Sequence, residues 1–382
     1  MLLTFVAFIP LPIWIYMLLA RGGFWRVRKQ LAPLSSSAPD RKIVAVIPAR
    51  DEVEVIGETV STLLRQDLPS PLRIVVVDDN SSDGTSDAAK TAAEKAGASH
   101  LLTVIQGQLL VPGWTGKLWA VSQGVAFAET FQPDYLLLTD ADIRHAPNSI
   151  RNLLAVAEER SCDLASYMVK LATGTTAEKM LIPSFVYFFL QLYPPSWIAS
   201  KRMQTAGAAG GCMLIRRMAL AKIGEIAAVR DQIIDDCALA KAVKQSGGKL
   251  WLGLTDTAES SRSYGGFGGI GRMISRSAFS QLRHSTLLLV LTIVGLFVTY
   301  LLGPILLLTG RTTLMLLGGM AWLLMSLSYF PMVRFYRQSV LWCVCLPAIA
   351  VFYAGATIHS AWQYWRGVGG SWKGRVQDTR IH

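Results

Sequence analysis

Residues 135–143, Tyr-Leu-Leu-Leu-Thr-Asp-Ala-Asp-Ile, constrain the fold of this chain more than any other stretch. An apolar run ends in a hydroxyl and two carboxylates, Asp140 and Asp142. Pro133-Asp134 precedes it and His145-Ala146-Pro147 follows. A short apolar run bounded by turn residues predicts a buried strand of an α/β sheet. Residues two apart in an extended chain point the same way, so both carboxylates are presented together where the strand leaves the sheet. Open α/β sheets bind ligands outside the carboxyl ends of their strands. Two carboxylates there repel each other unless a cation lies between them, and Mg²⁺ or Mn²⁺, which take oxygen ligands, meet that need. The competing reading is that both acids cap a following helix opened by Pro147.

The flanking sequence supplies the rest of such a sheet. From Arg41 onward, strands are expected at 43–47, 72–77, 100–105 and 135–139, and helices at 55–65, 86–96 and 117–130. Strands alternating with helices across short loops predict a mostly parallel, Rossmann-like sheet covered on both faces. Asp78 and Asp79 close the second strand, where a carboxylate can accept hydrogen bonds from a base or ribose. Ser82, Asp83 and Thr85 are read as turn and cap residues. Lys117 follows Pro112-Gly113-Trp114-Thr115-Gly116 at a helix start, where it either meets a phosphate or is solvated. A second acidic pair, Asp235-Asp236, either favours a helix start or supplies a base that removes a hydroxyl proton. Residues 180–198 are aromatic and broken by Pro183 and Pro194-Pro195; a surface-lying segment, an apolar acceptor groove and a buried helix all fit. Residues 264–271 look too rich in glycine for regular structure. Arg272, Arg276 and Arg283 after them suit phosphates or lipid headgroups.

Composition decides where such a domain sits. The chain has 382 residues, is 52% hydrophobic and only 16% charged, and carries a net charge of +11. That is too apolar for an ordinary soluble enzyme. The basic residues flank apolar runs, as the positive-inside rule expects, so a nucleic-acid partner is excluded in favour of a membrane. Residues 2–20 and three late runs, 286–309, 313–330 and 340–362, are each long enough to span. Five cysteines without a paired framework predict free thiols in a reducing compartment. The expected organisation is an N-terminal anchor (1–20), a basic linker (21–40), a catalytic domain (41–260), a glycine-rich basic interfacial segment (261–285), membrane helices (286–365) and a basic tail (366–382). One early and three late spans put that tail outside, against its own charge, unless one late run is re-entrant.

Five motifs taken together resemble family 2 glycosyltransferases: residues 46–52 (VIPARDE), 75–85 (VVVDDNSSDGT), 139–142 (TDAD), 207–217 (GAAGGCMLIRR) and 234–239 (IDDCAL). Residues 112–124 and the terminal apolar runs most resemble the hopene-associated members of that family. The resemblance implies a GT-A fold, a nucleotide-diphosphate sugar donor (a UDP-sugar first), inversion at the anomeric carbon and a lipid acceptor at the cytoplasmic face of a bacterial inner membrane. It places Pro48, Ala49, Asp51 and Glu52 around the nucleotide, with Glu52 near the ribose, and Asp79 or Asp78 at the base. It makes Asp140 and Asp142 the metal motif, with Asp142 the direct ligand of Mg²⁺ or Mn²⁺, and Asp236 the catalytic base beside Asp235. The family commonly has Glu-Asp where this chain has Asp235-Asp236. The Gln-x-x-Arg-Trp motif of many membrane relatives is missing, and Arg272 and Arg276 are the nearest basic candidates. Residues 371–375 (SWKGR) resemble cytoplasmic tails of membrane-bound relatives. Transfer to a polyprenyl phosphate, or an inactive membrane scaffold, are the alternatives.

Overall fold

The computed structural model describes residues 7–27 and 39–370. Eight strands form one sheet: β1 (Ile43–Ala49), β2 (Arg73–Asp78), β3 (Leu102–Gln106), β4 (Tyr135–Thr139), β5 (Ile143–His145), β6 (Leu164–Lys170), β7 (Cys212–Arg216) and β8 (Leu250–Ser260). Their order is β3-β2-β1-β4-β7-β6-β8-β5. The β3-β2-β1-β4 half is parallel. β7 and β5 run against their neighbours, while β8 lies parallel to β6. The expected mostly parallel sheet is therefore mixed. The reason is that β7 enters beside β4 from the glycine-rich turn 207–211, and β5 returns directly from the Asp140–Asp142 turn without a crossover helix.

Both faces of β1 are buried, as its unbroken apolar run requires. Val44 and Val46 join a core beneath the helix Gly116–Ala128, while Ile43, Ala45 and Ile47 join a second core beneath the helices Ile56–Leu63, Thr85–Lys95 and Ser149–Glu159. Because β5 separates the Asp140–Asp142 turn from the helix Ser149–Glu159, whose N-cap is Asn148, the two acids do not cap that helix.

Two other expectations change. The aromatic segment is one helix, Thr176–Leu192, carrying Pro183 in its interior, followed by a short helix Pro195–Ala199. It is largely buried, with Leu181, Ile182, Val186 and Tyr187 in the core, so it is neither a surface-lying segment nor a groove. Packing on both sides offsets the backbone bond that Pro183 cannot make. The glycine-rich stretch also forms a helix, Phe267–Ser275. Glycine is required at 269 because a Cβ there would lie 1.8 Å from the carbonyl oxygen of Tyr264.

Among the described residues, two helical segments are long and apolar enough to cross a membrane, Thr286–Thr309 and Thr312–Phe335. They meet at Gly303 and Gly318, where a side chain on Gly318 would strike the Gly303 carbonyl at 2.4 Å, a close crossing that only small residues permit. The other expected spans differ. The third late run becomes a 3₁₀ turn, Val340–Cys343, and a helix, Leu346–Trp365, whose Thr357, His359, Ser360 and Gln363 dilute its hydropathy. That helix packs against Phe267–Ser275. Near the N-terminus, the described helix Pro10–Leu19 has ten residues, and the start of the expected span 2–20 lies outside the described residues. It rests on the first long segment, with Trp14 Nε1 donating to the Thr299 carbonyl at 2.9 Å. Residues 1–6, most of the expected linker and the tail motif 371–375 lie outside the described residues.

Candidate active site

β1, β2, β4 and β8 all end at the same edge of the sheet, and a cleft of about 430 Å³ opens there. Pro48 enters it from the end of β1 and Glu52 from the turn that follows, Asp140 and Asp142 from the turn after β4, and Lys117 and Thr115 from the start of the helix Gly116–Ala128. Asp235, Ile233 and Gln232 come from the start of the helix Asp235–Gln245, Arg262 and Tyr264 from the segment after β8, and Arg272, Met273 and Arg276 from its outer wall.

Lys117 lines the cleft and is paired with two acids. Its Nζ lies 2.9 Å from Asp140 and 3.1 Å from Asp235. Burial would lower its pKa, but the two carboxylates outweigh burial and raise it. Asp140 is itself pushed up by burial and by Asp142, with Lys117 opposing. Asp142 is 8% exposed; its Oδ2 accepts from Arg262 Nε at 3.0 Å and from Ser260 Oγ at 2.9 Å. The Arg262 Nη2 reaches both oxygens of Glu52, at 2.7 and 2.6 Å.

The second acidic pair divides its work. Asp235 faces the cleft and Lys117. Asp236 turns beside it, accepting from the Gly210 amide at 2.8 Å and from the Cys237 amide at 2.7 Å. Burial and the neighbouring Asp235 push Asp236 up from 3.8 to about 6, against the pull of Lys117.

The structure thus gathers Pro48, Glu52, Lys117, Asp140, Asp142, Asp235, Arg272 and Arg276 along one cleft. Ala49, Asp51, Asp78, Asp79 and Asp236 are not among its lining residues. Asp78 accepts from the Ser81 amide at 2.8 Å and from Ser86 Oγ, so it holds its own loop. Asp79 is buried, and Arg50 Nη1 lies 3.7 Å from its carboxylate. Asp51 accepts from the Ser82 amide at 3.0 Å, and Asp83 accepts from the Val53 amide at 3.0 Å, which locks the β1 and β2 turns together. The sequence reading missed Arg262. β8 runs on through the polar residues Asp256 and Glu259 to Ser260 and delivers Arg262 to the carboxyl edge, a position no local motif marks.

Among the described residues, no three His, Cys, Asp or Glu side chains gather to hold a metal ion by themselves. Asp140 and Asp142 still suit Mg²⁺ or Mn²⁺, since such ions are often held by one or two carboxylates, with water and substrate phosphates completing the shell.

Residues 44–224 match the family model "Glycosyl transferase family 2". The undecaprenyl-phosphate 4-deoxy-4-formamido-L-arabinose transferase of Serratia proteamaculans is 29% identical over 128 residues, covering 33% of this chain and 36% of that protein. An uncharacterized protein of Methanocaldococcus jannaschii is 30% identical over 139 residues, 36% of this chain and 51% of its own. The chain therefore spans about a third to a half of the length of these curated relatives. The mannosyltransferase PcManGT from Pyrobaculum calidifontis, solved with GDP-Man and Mn²⁺, superposes with a TM-score of 0.55 at 16% identity, over 92% of this chain and 99% of that one. That likeness establishes a shared fold. Residues 44–224, just under half of the chain, thus match a family 2 glycosyltransferase model, and the fold around them is one that a mannosyltransferase of known structure shares.

Proposed function

We propose that this chain is a membrane-bound, inverting glycosyltransferase that moves a sugar from a nucleotide-diphosphate donor to a lipid hydroxyl, in hopanoid-related lipid metabolism. One observation carries the reading: acids from the turns after β1 and β4 and from the helix start at Asp235 share a cleft with Lys117, and the outer wall of that cleft packs on an apolar helix. Pro48, Ala49, Asp51 and Glu52 surround the nucleotide, and Asp79 reaches the base, which is uracil in the preferred donor. Lys117 bridges Asp140 and Asp235 within the cleft. Asp236 takes the acceptor proton as the hydroxyl attacks, and a carboxylate titrating near 6 suits a base working near neutrality. A divalent ion bound at Asp142 would neutralise the charge that grows on the leaving diphosphate.

Two crossings, 286–309 and 312–335, return the chain to the face it left, so Arg334, Arg337 and Arg366 share the cytoplasmic side with the cleft, as basic residues prefer. A second acceptor reading has its own support. Arg272 and Arg276 line the cleft one helical turn apart, and neither makes a salt bridge among the described residues, which suits a polyprenyl phosphate. Relatives named for undecaprenyl phosphate point the same way.

Lipid extracts from cells with and without the gene, compared by mass spectrometry, test the acceptor. A glycosylated hopanoid lost with the gene supports the first reading, and a lost polyprenyl phosphosugar supports the second. Asp236→Asn is expected to bind nucleotide as the native chain does while losing turnover on a hydroxyl acceptor. An equal loss of donor affinity and rate would count against its role as base.

A further inference from the structure

Arg262 stands where the reading above needs a divalent ion to act. The sheet delivers it there. Ile143 pairs with Ser260 across β5 and β8, and the Ser261 amide extends that pairing by donating to the Asp142 carbonyl at 2.9 Å. Arg262 follows at once and spans two acids, with Nε on Asp142 Oδ2 at 3.0 Å and Nη2 on both oxygens of Glu52. The same Oδ2 also accepts from Ser260 Oγ, so its capacity as an acceptor is taken. A divalent ion on either oxygen of Asp142 would in addition face a guanidinium only a few ångströms away, and like charges at that range repel strongly in a partly buried site.

The backbone that carries Arg262 is held firmly. Ser263 Oγ and the Tyr264 amide both donate to Glu178 Oε1, at 2.8 and 2.6 Å, and Glu178 is buried. The side chain is not buried in the same way: 37% of it is exposed, against 11% for each of its two acids. A fixed backbone with a partly open side chain allows the guanidinium to turn without moving the loop. Its arc lies within the cleft that Lys117, Arg272 and Arg276 also line.

Building on the donor and metal sites proposed above, we infer that Arg262 is an exchange latch. In the donor-free protein its guanidinium neutralises Glu52 and Asp142 and keeps a divalent ion off Asp142. When donor and ion enter together, it leaves Asp142 and turns onto the diphosphate. Ion and donor binding are then coupled, because only the diphosphate offers the displaced guanidinium a new partner.

The test is Mn²⁺ binding followed by electron paramagnetic resonance on the full chain in nanodiscs, with and without UDP. Without nucleotide, Arg262→Gln is expected to bind Mn²⁺ about tenfold more tightly than the native chain, ~1.4 kcal/mol, the order of one charged hydrogen bond. UDP should tighten Mn²⁺ in the native chain and do so less in the variant. Arg262→Lys keeps the charge but loses the fork that spans both acids, so it too should bind Mn²⁺ more tightly than native, and it decides the matter should the glutamine variant misfold. Affinity equal to or below native in the folded variants overturns the latch. Asp142→Asn separates the two levels of the argument. Loss of Mn²⁺ binding there, with no tightening at Arg262, rejects the latch alone, and unchanged Mn²⁺ binding there rejects the metal site and the latch together.

Discussion

Asp235→Asn offers a direct probe of how the buried acids divide their roles. Asp236 is pushed from 3.8 to about 6 by burial first and by Asp235 second. A base must be deprotonated, so turnover on a hydroxyl acceptor is lost as pH falls through the pKa of Asp236. With a pKa of about 6, the active fraction falls roughly tenfold between pH 7.5 and pH 5. With an ordinary carboxylate pKa it would stay above ~90% over that range. Neutralising Asp235 removes the like charge, and Lys117, still paired with Asp140, then acts on Asp236 with less competition. Both changes lower the pKa of Asp236, so the acid limb of the variant moves to lower pH. The assay is the pH profile of kcat/KM with a radiolabelled donor, from pH 4.5 to 8.5, for native and variant. A native profile flat down to pH 5, or an acid limb that Asp235→Asn leaves in place, would refute the assignment of Asp236 as the base.

Two further outcomes follow from the same charges. Lys117→Met leaves Asp140 and Asp235 without their shared cation at a partly exposed cleft, where solvent screening limits the loss to about 1 kcal/mol, so the thermal midpoint of the detergent-solubilised protein should drop by a few degrees. An unchanged midpoint would mean that the acids are solvated or share another cation. The double variant Arg272→Gln and Arg276→Gln removes two charges from the cleft mouth. At ~1 kcal/mol per charge near an anionic surface, its affinity for vesicles containing a lipid phosphate should fall about tenfold or more in a flotation assay. Unaltered flotation would assign both arginines to a role inside the protein.

Much of the sheet was legible because β1 to β4 are short apolar runs closed by turn residues, and the Asp140–Asp142 turn marks their carboxyl edge. The order and direction of β6, β7 and β8 were not, since these strands take their places in the sheet through contacts distant in sequence, which no local pattern reports. Pro183 and the glycines at 268–271 read as breakers, yet tertiary packing carries helices through both. The same limit hid Arg262. Its role depends on a strand that keeps its register across Asp256 and Glu259, and polar residues on a partly exposed edge resemble a loop. Among the described residues only two of the expected spans appear as long apolar helices, for a different reason. Length and hydropathy accept Leu346–Trp365 only until its polar residues at 357–363 are weighed, and Pro10–Leu19 lies against other helices over only ten residues.

The central claim is that the cleft at the carboxyl edge grips a cation-bound sugar nucleotide through Asp142. Calorimetry of UDP and of a UDP-sugar, with and without Mn²⁺, on the native chain and on Asp142→Ala, tests it most directly. The account predicts binding that strengthens with Mn²⁺ in the native chain and no Mn²⁺-dependent binding in the variant. Equal Mn²⁺ dependence in both would contradict it.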